Sequence, residues 1–217
     1  MDLGSGASAS PPAAAAAPPS RAAAAVSMER AAATAPTDAH KTCLEHRERA
    51  CGKSAFVMFM LQHLERIGCP VEVDKHIVCE PCPQHMPING VFDDGRNEIV
   101  LCENNLISER TTADVLTHEL IHAYDKCRAK VDFKNPEHLA CTEIRAANLS
   151  GDCFLWKEFF NRFNFNFQGG HKKCVRRRAA RSIVAVTNDD YDAAYAAIDR
   201  VWDTCFNDTE PFDEIPW

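Results

Sequence analysis

Apolar residues recur at helical spacing in several separate stretches of the chain. Phe56, Val57, Met60, Leu61, Leu64 and Ile67 form one stripe within a helical pattern over residues 42–67, and Gly68 and Pro70 end it. Residues 71–79 alternate in part and predict a short strand. The segment from Ile88 to Phe92 and a strand over 98–102, separated by the turn-forming run 93–97, predict a hairpin or two adjacent strands. Residues 111–128 contain no Pro or Gly and carry Val115, Leu116, Leu120 and Ile121 at helical spacing. Thr111 or Thr112 is the expected N-cap there, with Asp114 in the first turn. Further helices are expected over 138–148 beyond Pro136, over 153–163, and over 171–186 after a break at Gly169–Gly170. A last helix follows Asn188 or Asp189, with Tyr191, Tyr195, Ile198 and Trp202 as its buried stripe. A small sheet followed by mostly helices predicts an α+β fold.

Residues 1–40 stand apart from this pattern. They are rich in Ala, Pro and Ser and have almost no large apolar side chains, so they cannot bury enough surface to offset the entropy of ordering. Arg21 and Arg30 fit a targeting segment, whereas Asp2, Glu29 and Asp38 dilute its basic character, and a plain disordered extension is the alternative. The remaining residues, 41–217, suit one domain. A hydrophobic content of 46% is enough for a core, and a net charge of −7 argues against a nucleic-acid surface. No apolar run approaches the ~20 residues needed to span a bilayer. The basic stretch over 171–186, with Lys172, Lys173, Arg176, Arg177, Arg178 and Arg181, is either a solvated face or a contact for an anionic membrane surface or acidic partner.

Eleven cysteines, all beyond residue 40, favour an oxidising compartment. Ten of them can form five disulfides with one left over, in a pairing that sequence alone does not give. Cys79 and Cys82 form a CxxC, for which structural disulfides are favoured over a redox pair or a zinc site, because no second pair at zinc-finger spacing accompanies it.

The chemistry sits on the helix over 111–128, in His118-Glu-Leu-Ile-His122. Residues four apart on a helix share a face, so His118 and His122 can share one Zn²⁺, with Glu119 placed to hold a water and take its proton. The bland reading is a core helix with two satisfied histidines, but inward His, Glu and His without a task are costly to bury. A catalytic zinc needs a third protein ligand. Glu143, on the following helix and about twenty residues beyond His122, is preferred by analogy with zinc proteases whose Glu ligand lies on a following helix at about this interval. Ala146 and Ala147 would let that helix pack closely on the first. Asp125, one turn past His122, is the rival ligand or a carboxylate supporting a ligand imidazole. The HExxHxxGxxH continuation is absent, since Asp125 and Arg128 stand where Gly and His would. Glu143 paired with Arg145 or another surface charge is the alternative without a metal. Tyr124, His138 and His171 are unranked candidates for stabilising an oxyanion.

Lys53-Ser-Ala-Phe56, Cys79-Glu-Pro-Cys82, the segment from Gly90 to Phe92, His118-Glu-Leu-Ile-His-Ala-Tyr-Asp125 and the run from Cys141 through Thr-Glu-Ile-Arg-Ala-Ala-Asn-Leu-Ser-Gly-Asp to Cys153 together carry a likeness. Over residues 42–212 the chain resembles the mitochondrial inner-membrane metalloproteases that assist F-type ATP synthase assembly. The resemblance implies a zincin-like zinc endopeptidase with His118 and His122 as ligands and Glu119 as the catalytic residue. It also implies a disulfide-bonded peripheral protein on the intermembrane-space side of the inner membrane. In the fungal member the protease matures a membrane-sector subunit of the synthase and separately acts as its assembly chaperone. The implied partner is therefore such a subunit, and the alternative function is a non-proteolytic assembly chaperone with a structural or vestigial metal site. Some relatives have been named for binding a Ku subunit.

Overall fold

A computed structural model describes residues 37–86, 88–153, 167–187 and 190–216. Residues 1–36 of the tail, and nearly all of the helix expected over 153–163, lie outside the described residues. The chain runs α1 (Asp38–Lys53), α2 (Ala55–Arg66), α3 (Val73–His76), β1 (Ile77–Glu80), β2 (Gly90–Asp93), β3 (Glu98–Cys102), α4 (Glu109–Arg128), α5 (Pro136–Leu149), α6 (Phe167–Thr187) and α7 (Tyr191–Asn207).

The single helical pattern over 42–67 is two helices. Ser54 leaves the helical conformation, and its hydroxyl caps α2 by accepting the Val57 N–H. A side chain that bonds the nearby backbone in this way offers it an alternative to continuing α1. Gly68, at φ +89°, ends α2, and the Cys69 N–H returns to the Leu64 carbonyl. The strand expected over 71–79 starts only at Ile77. Before it, residues 73–76 make one helical turn. The Glu72 carbonyl there accepts the His76 N–H at 2.8 Å, and the Glu72 N–H donates to the His76 ring.

The sheet has the order β1–β3–β2, with β1 parallel and β2 antiparallel to β3. Asp93 forms the hairpin turn by accepting the Gly95 and Arg96 N–H groups, and Asn97 takes a positive φ of 56°. Ser108 caps α4 by accepting the Thr111 N–H at 3.1 Å, so the helix starts before the two threonines expected to cap it. Asn135 caps α5 ahead of Pro136. Gly169 and Gly170 lie in the first turn of α6 and do not break it. Asp190 caps α7, whose buried face is Ala194, Ala197, Ile198, Cys205 and Phe206. The small alanines carry that face against its neighbours, and Tyr191 is left 50% exposed.

Two cores meet along α4 and α5. The first joins α1, α2, the sheet and α4, and the second joins α5, α6 and α7. Ala146 is fully buried in the first core and Ala147 in the second, so small side chains on α5 bring it close to α4. Several of the basic side chains on α6 are engaged within the chain: Arg178 pairs with Asp152 and Arg176 with Asp199, and Arg176 also covers the Trp202 ring.

Five disulfides form: Cys43–Cys79, Cys69–Cys127, Cys82–Cys102, Cys141–Cys205 and Cys153–Cys174. The CxxC cysteines therefore pair with distant partners and not with each other. Cys51 is the free cysteine, and burial pushes its thiol up to about 11, which disfavours the reactive thiolate. Replacing both Cys141 and Cys205 by Ser is expected to lower unfolding free energy by about 2–4 kcal/mol, measured by denaturant titration of the oxidised chain.

Candidate active site

The apolar spacing on α4 turns His118, Glu119 and His122 inward, and all three are buried. Glu143 reaches them from α5. His118 Nε2 lies 3.3 Å from Glu143 Oε2, and His122 Nε2 lies 3.7 Å from Glu143 Oε1. One ligand atom from each of His118, His122 and Glu143 can be chosen so that all lie within 4.8 Å of one another. Tetrahedral ligands at about 2.0–2.2 Å from a zinc ion are separated by about 3.3–3.6 Å, so the spacing fits such an ion. The chemistry of the set agrees: two imidazoles and a carboxylate, with Glu143 Oε2 buried and without a hydrogen bond.

The electrostatics favour positive charge at this point. Glu119, Glu143 and Asp152 line the cleft with Arg178. Burial works against a charged His118, yet Asp152 and Glu143 outweigh it and raise its pKa to about 10. Burial, with His118 adding to it, lowers His122 to about 4 and leaves it a neutral imidazole, the form that binds metals. Burial raises Glu119 to about 7 against the pull of His118 and of the Phe92 backbone N–H that bonds to it. A carboxylate near neutrality is suited to taking up and returning a proton. Glu143 is held below its ordinary value because His122 and His118 overcome its burial.

Asp125 is buried but stands apart from the three. It accepts the Thr142 hydroxyl at 2.9 Å and pairs with Arg145 and Arg128. Thr142 in turn bonds His122 Nδ1 at 2.8 Å. Arg145 thus takes Asp125 as its partner, and Glu143 is left to face the histidines. Tyr124, His138 and His171 do not line the cleft. Tyr124 lies under Arg128, His138 accepts the Asp132 N–H, and His171 bonds Asn148 and the Cys153 carbonyl.

Sequence reasoning missed Asp152, Arg178 and Thr142. Asp152 lies 3.6 Å from His118 Nδ1, longer than a hydrogen bond, and also receives Arg178 at 2.5 Å. Thr142 was detectable as the immediate neighbour of Glu143. Arg178 was hidden in the basic run of α6.

The cleft encloses about 840 Å³. Gly90, Val91 and Phe92 of β2, an edge strand, form one wall, and Ser182 to Thr187 at the end of α6 form another. An inward His-Glu-x-x-His, a carboxylate from the next helix and a cleft beside a strand edge define the class of an HExxH hydrolytic site. The family model described as the Peptidase M76 family matches residues 41–213, and the chain belongs to that family. Relatives named "Mitochondrial inner membrane protease ATP23 homolog" include one from Xenopus laevis, 50% identical over 77% of this chain and 70% of its own length. One from Homo sapiens is 48% identical over 74% of this chain and 65% of its own length. The Saccharomyces cerevisiae protein named "Mitochondrial inner membrane protease ATP23" is 39% identical over 80% of this chain and 78% of its own. No solved structure matches the chain.

A Cβ at Gly90 would meet Val115 Cγ1 at 2.6 Å and the Val100 carbonyl oxygen at 3.2 Å. Gly90→Ala is expected to cost about 1–3 kcal/mol in urea unfolding, because the strand edge must shift from the helix that carries Glu119.

Proposed function

We propose that this protease is a zinc-dependent endopeptidase in which His118, His122 and Glu143 hold the metal and Glu119 is the general base. The convergence of those three side chains, with Glu119 in the same cleft, carries this reading. A bound zinc ion supplies Lewis acidity, polarising a carbonyl and making a water easier to deprotonate. Glu119 takes that proton and returns it to the leaving amine. The β2 edge presents backbone groups to an extended substrate segment, the geometry of strand addition. Arg178, fixed by Asp152, offers N–H donors to the charge that develops on the carbonyl oxygen.

The relatives' names support work at the mitochondrial inner membrane, on a protein substrate. No helix among the described residues is long and apolar enough to cross a membrane, which agrees with peripheral attachment. The five disulfides support the intermembrane-space side, where thiols can be oxidised. The family resemblance points to a membrane-sector subunit of ATP synthase as the substrate and to a role in the assembly of that enzyme. No binding of nucleic acid is proposed.

Glu119→Gln is expected to abolish cleavage and retain one zinc per chain, measured by elemental analysis beside a protease assay. Glu143→Ala is expected to lose the zinc. If Glu119→Gln cleaves normally, the base assignment is wrong. If Glu119→Gln loses cleavage and assembly of the synthase survives in cells carrying it, the assembly function does not need the peptidase.

A further inference from the structure

Two ring nitrogens of His122 have different tasks. Nε2 faces Glu143, and Nδ1 lies 2.8 Å from Thr142 Oγ1. The Thr142 hydroxyl has one proton, and it donates that proton to Asp125 Oδ2 at 2.9 Å. With that proton committed, Thr142 can only accept from His122, so Nδ1 must carry the hydrogen and Nε2 the lone pair. The opposite arrangement would leave Asp125 without its hydroxyl donor and would leave Nε2 no lone pair for a metal.

Asp125 is held in turn. Arg145 Nε donates to it at 2.9 Å, and Arg128 Nε donates at 3.1 Å. Arg145 Nε also lies 3.0 Å from Oδ2, so both oxygens of Asp125 accept guanidinium N–H groups, which oppose the rise in pKa that burial imposes. Arg145 is 1% exposed, and its other nitrogens donate to the backbone carbonyls of Asp208 and Glu210. The Asp208 carboxylate pairs with both Arg145 and Arg128. A few residues on, Phe212 stacks on Phe59 of α2 with ring centroids 4.6 Å apart. The segment after α7 is thus a strap from the second core to the first, and it closes over the two arginines.

We propose that this chain of bonds, from His122 through Thr142, Asp125 and Arg145 to the strap at residues 208–210, is a positioning device that fixes the tautomer of His122 for metal binding. It rests on the reading that His118, His122 and Glu143 hold the metal. A partner that fixes a ligand imidazole typically changes metal affinity by about 10- to 100-fold when removed. Here the device extends from a residue beside a ligand to a segment far along the chain, so the strap contributes to metal affinity without touching the ion.

The test uses the oxidised full-length chain, with zinc affinity measured by competition against a chromogenic chelator. Thr142→Val, which keeps the shape and removes the hydroxyl, is expected to weaken zinc binding by about 10- to 100-fold. Thr142→Ser is expected to stay within about threefold of the wild type, because it restores the bond. Asp208→Ala is expected to weaken binding less than Thr142→Val, through a looser strap. Histidine ¹⁵N spectra of the zinc-free chain should show His122 with its hydrogen on Nδ1 in the wild type and Thr142→Ser, but not in Thr142→Val. Wild-type affinity and an unchanged tautomer in Thr142→Val would overturn the device while Glu143→Ala still lost zinc. A wild type that binds no zinc would overturn the underlying site as well.

Discussion

The contact between α4 and α5 holds the cleft together. It places two imidazoles and two carboxylates, His118, His122, Glu119 and Glu143, at a buried seam between two apolar cores. Polar groups removed from water must find partners, and ionised ones need opposite charge as well. Each of these side chains meets that demand differently. Glu119 accepts a backbone N–H from the strand edge, His122 bonds Thr142, and His118 faces Asp152 and Glu143. A metal ion among His118, His122 and Glu143 would complete the set.

Close approach of two helices carrying such groups needs small side chains and firm anchors. Ala146 and Ala147 supply the first. The disulfides supply much of the second, because they attach beside the site. Cys127 lies two residues past Asp125, Cys141 two before Glu143, and Cys153 one past Asp152. Their partners lie in the turn just past α2, on α7 and on α6, so α4, α5 and the turn after α5 are each tied to another part of the fold. Oxidation therefore bears on the geometry of the cleft as well as on global stability.

Much of the site was legible in the sequence because it follows helical periodicity. Residues four apart on α4 had to share a face, and the apolar positions around them set that face inward. Glu143 stood out by its interval from His122 on a following helix, and Ala146 and Ala147 on that helix permit the close approach seen in the fold. The cysteine count gave five pairs and one remainder, but pairing depends on which elements adjoin, which no spacing encodes. Local competition from Ser54 and Ser108 moved the helix boundaries, because a hydroxyl that bonds the backbone decides an end more than the apolar stripe does. The network around Asp125 was illegible for a related reason. Its arginine Arg145 bonds to carbonyls more than sixty residues away, at Asp208 and Glu210, through a strap that carries no periodic signal.

The proposed function stands on one metal ion held by two imidazoles and a carboxylate, with none of the eleven cysteines among its ligands. X-ray absorption at the zinc edge on the oxidised, zinc-loaded chain reads those ligands from the metal outward. A shell of nitrogen and oxygen at about 2.0–2.2 Å is expected, with imidazole scattering from two histidines and no sulfur. A sulfur shell at about 2.3 Å, or scattering from fewer than two imidazoles, would rule out that ligand set.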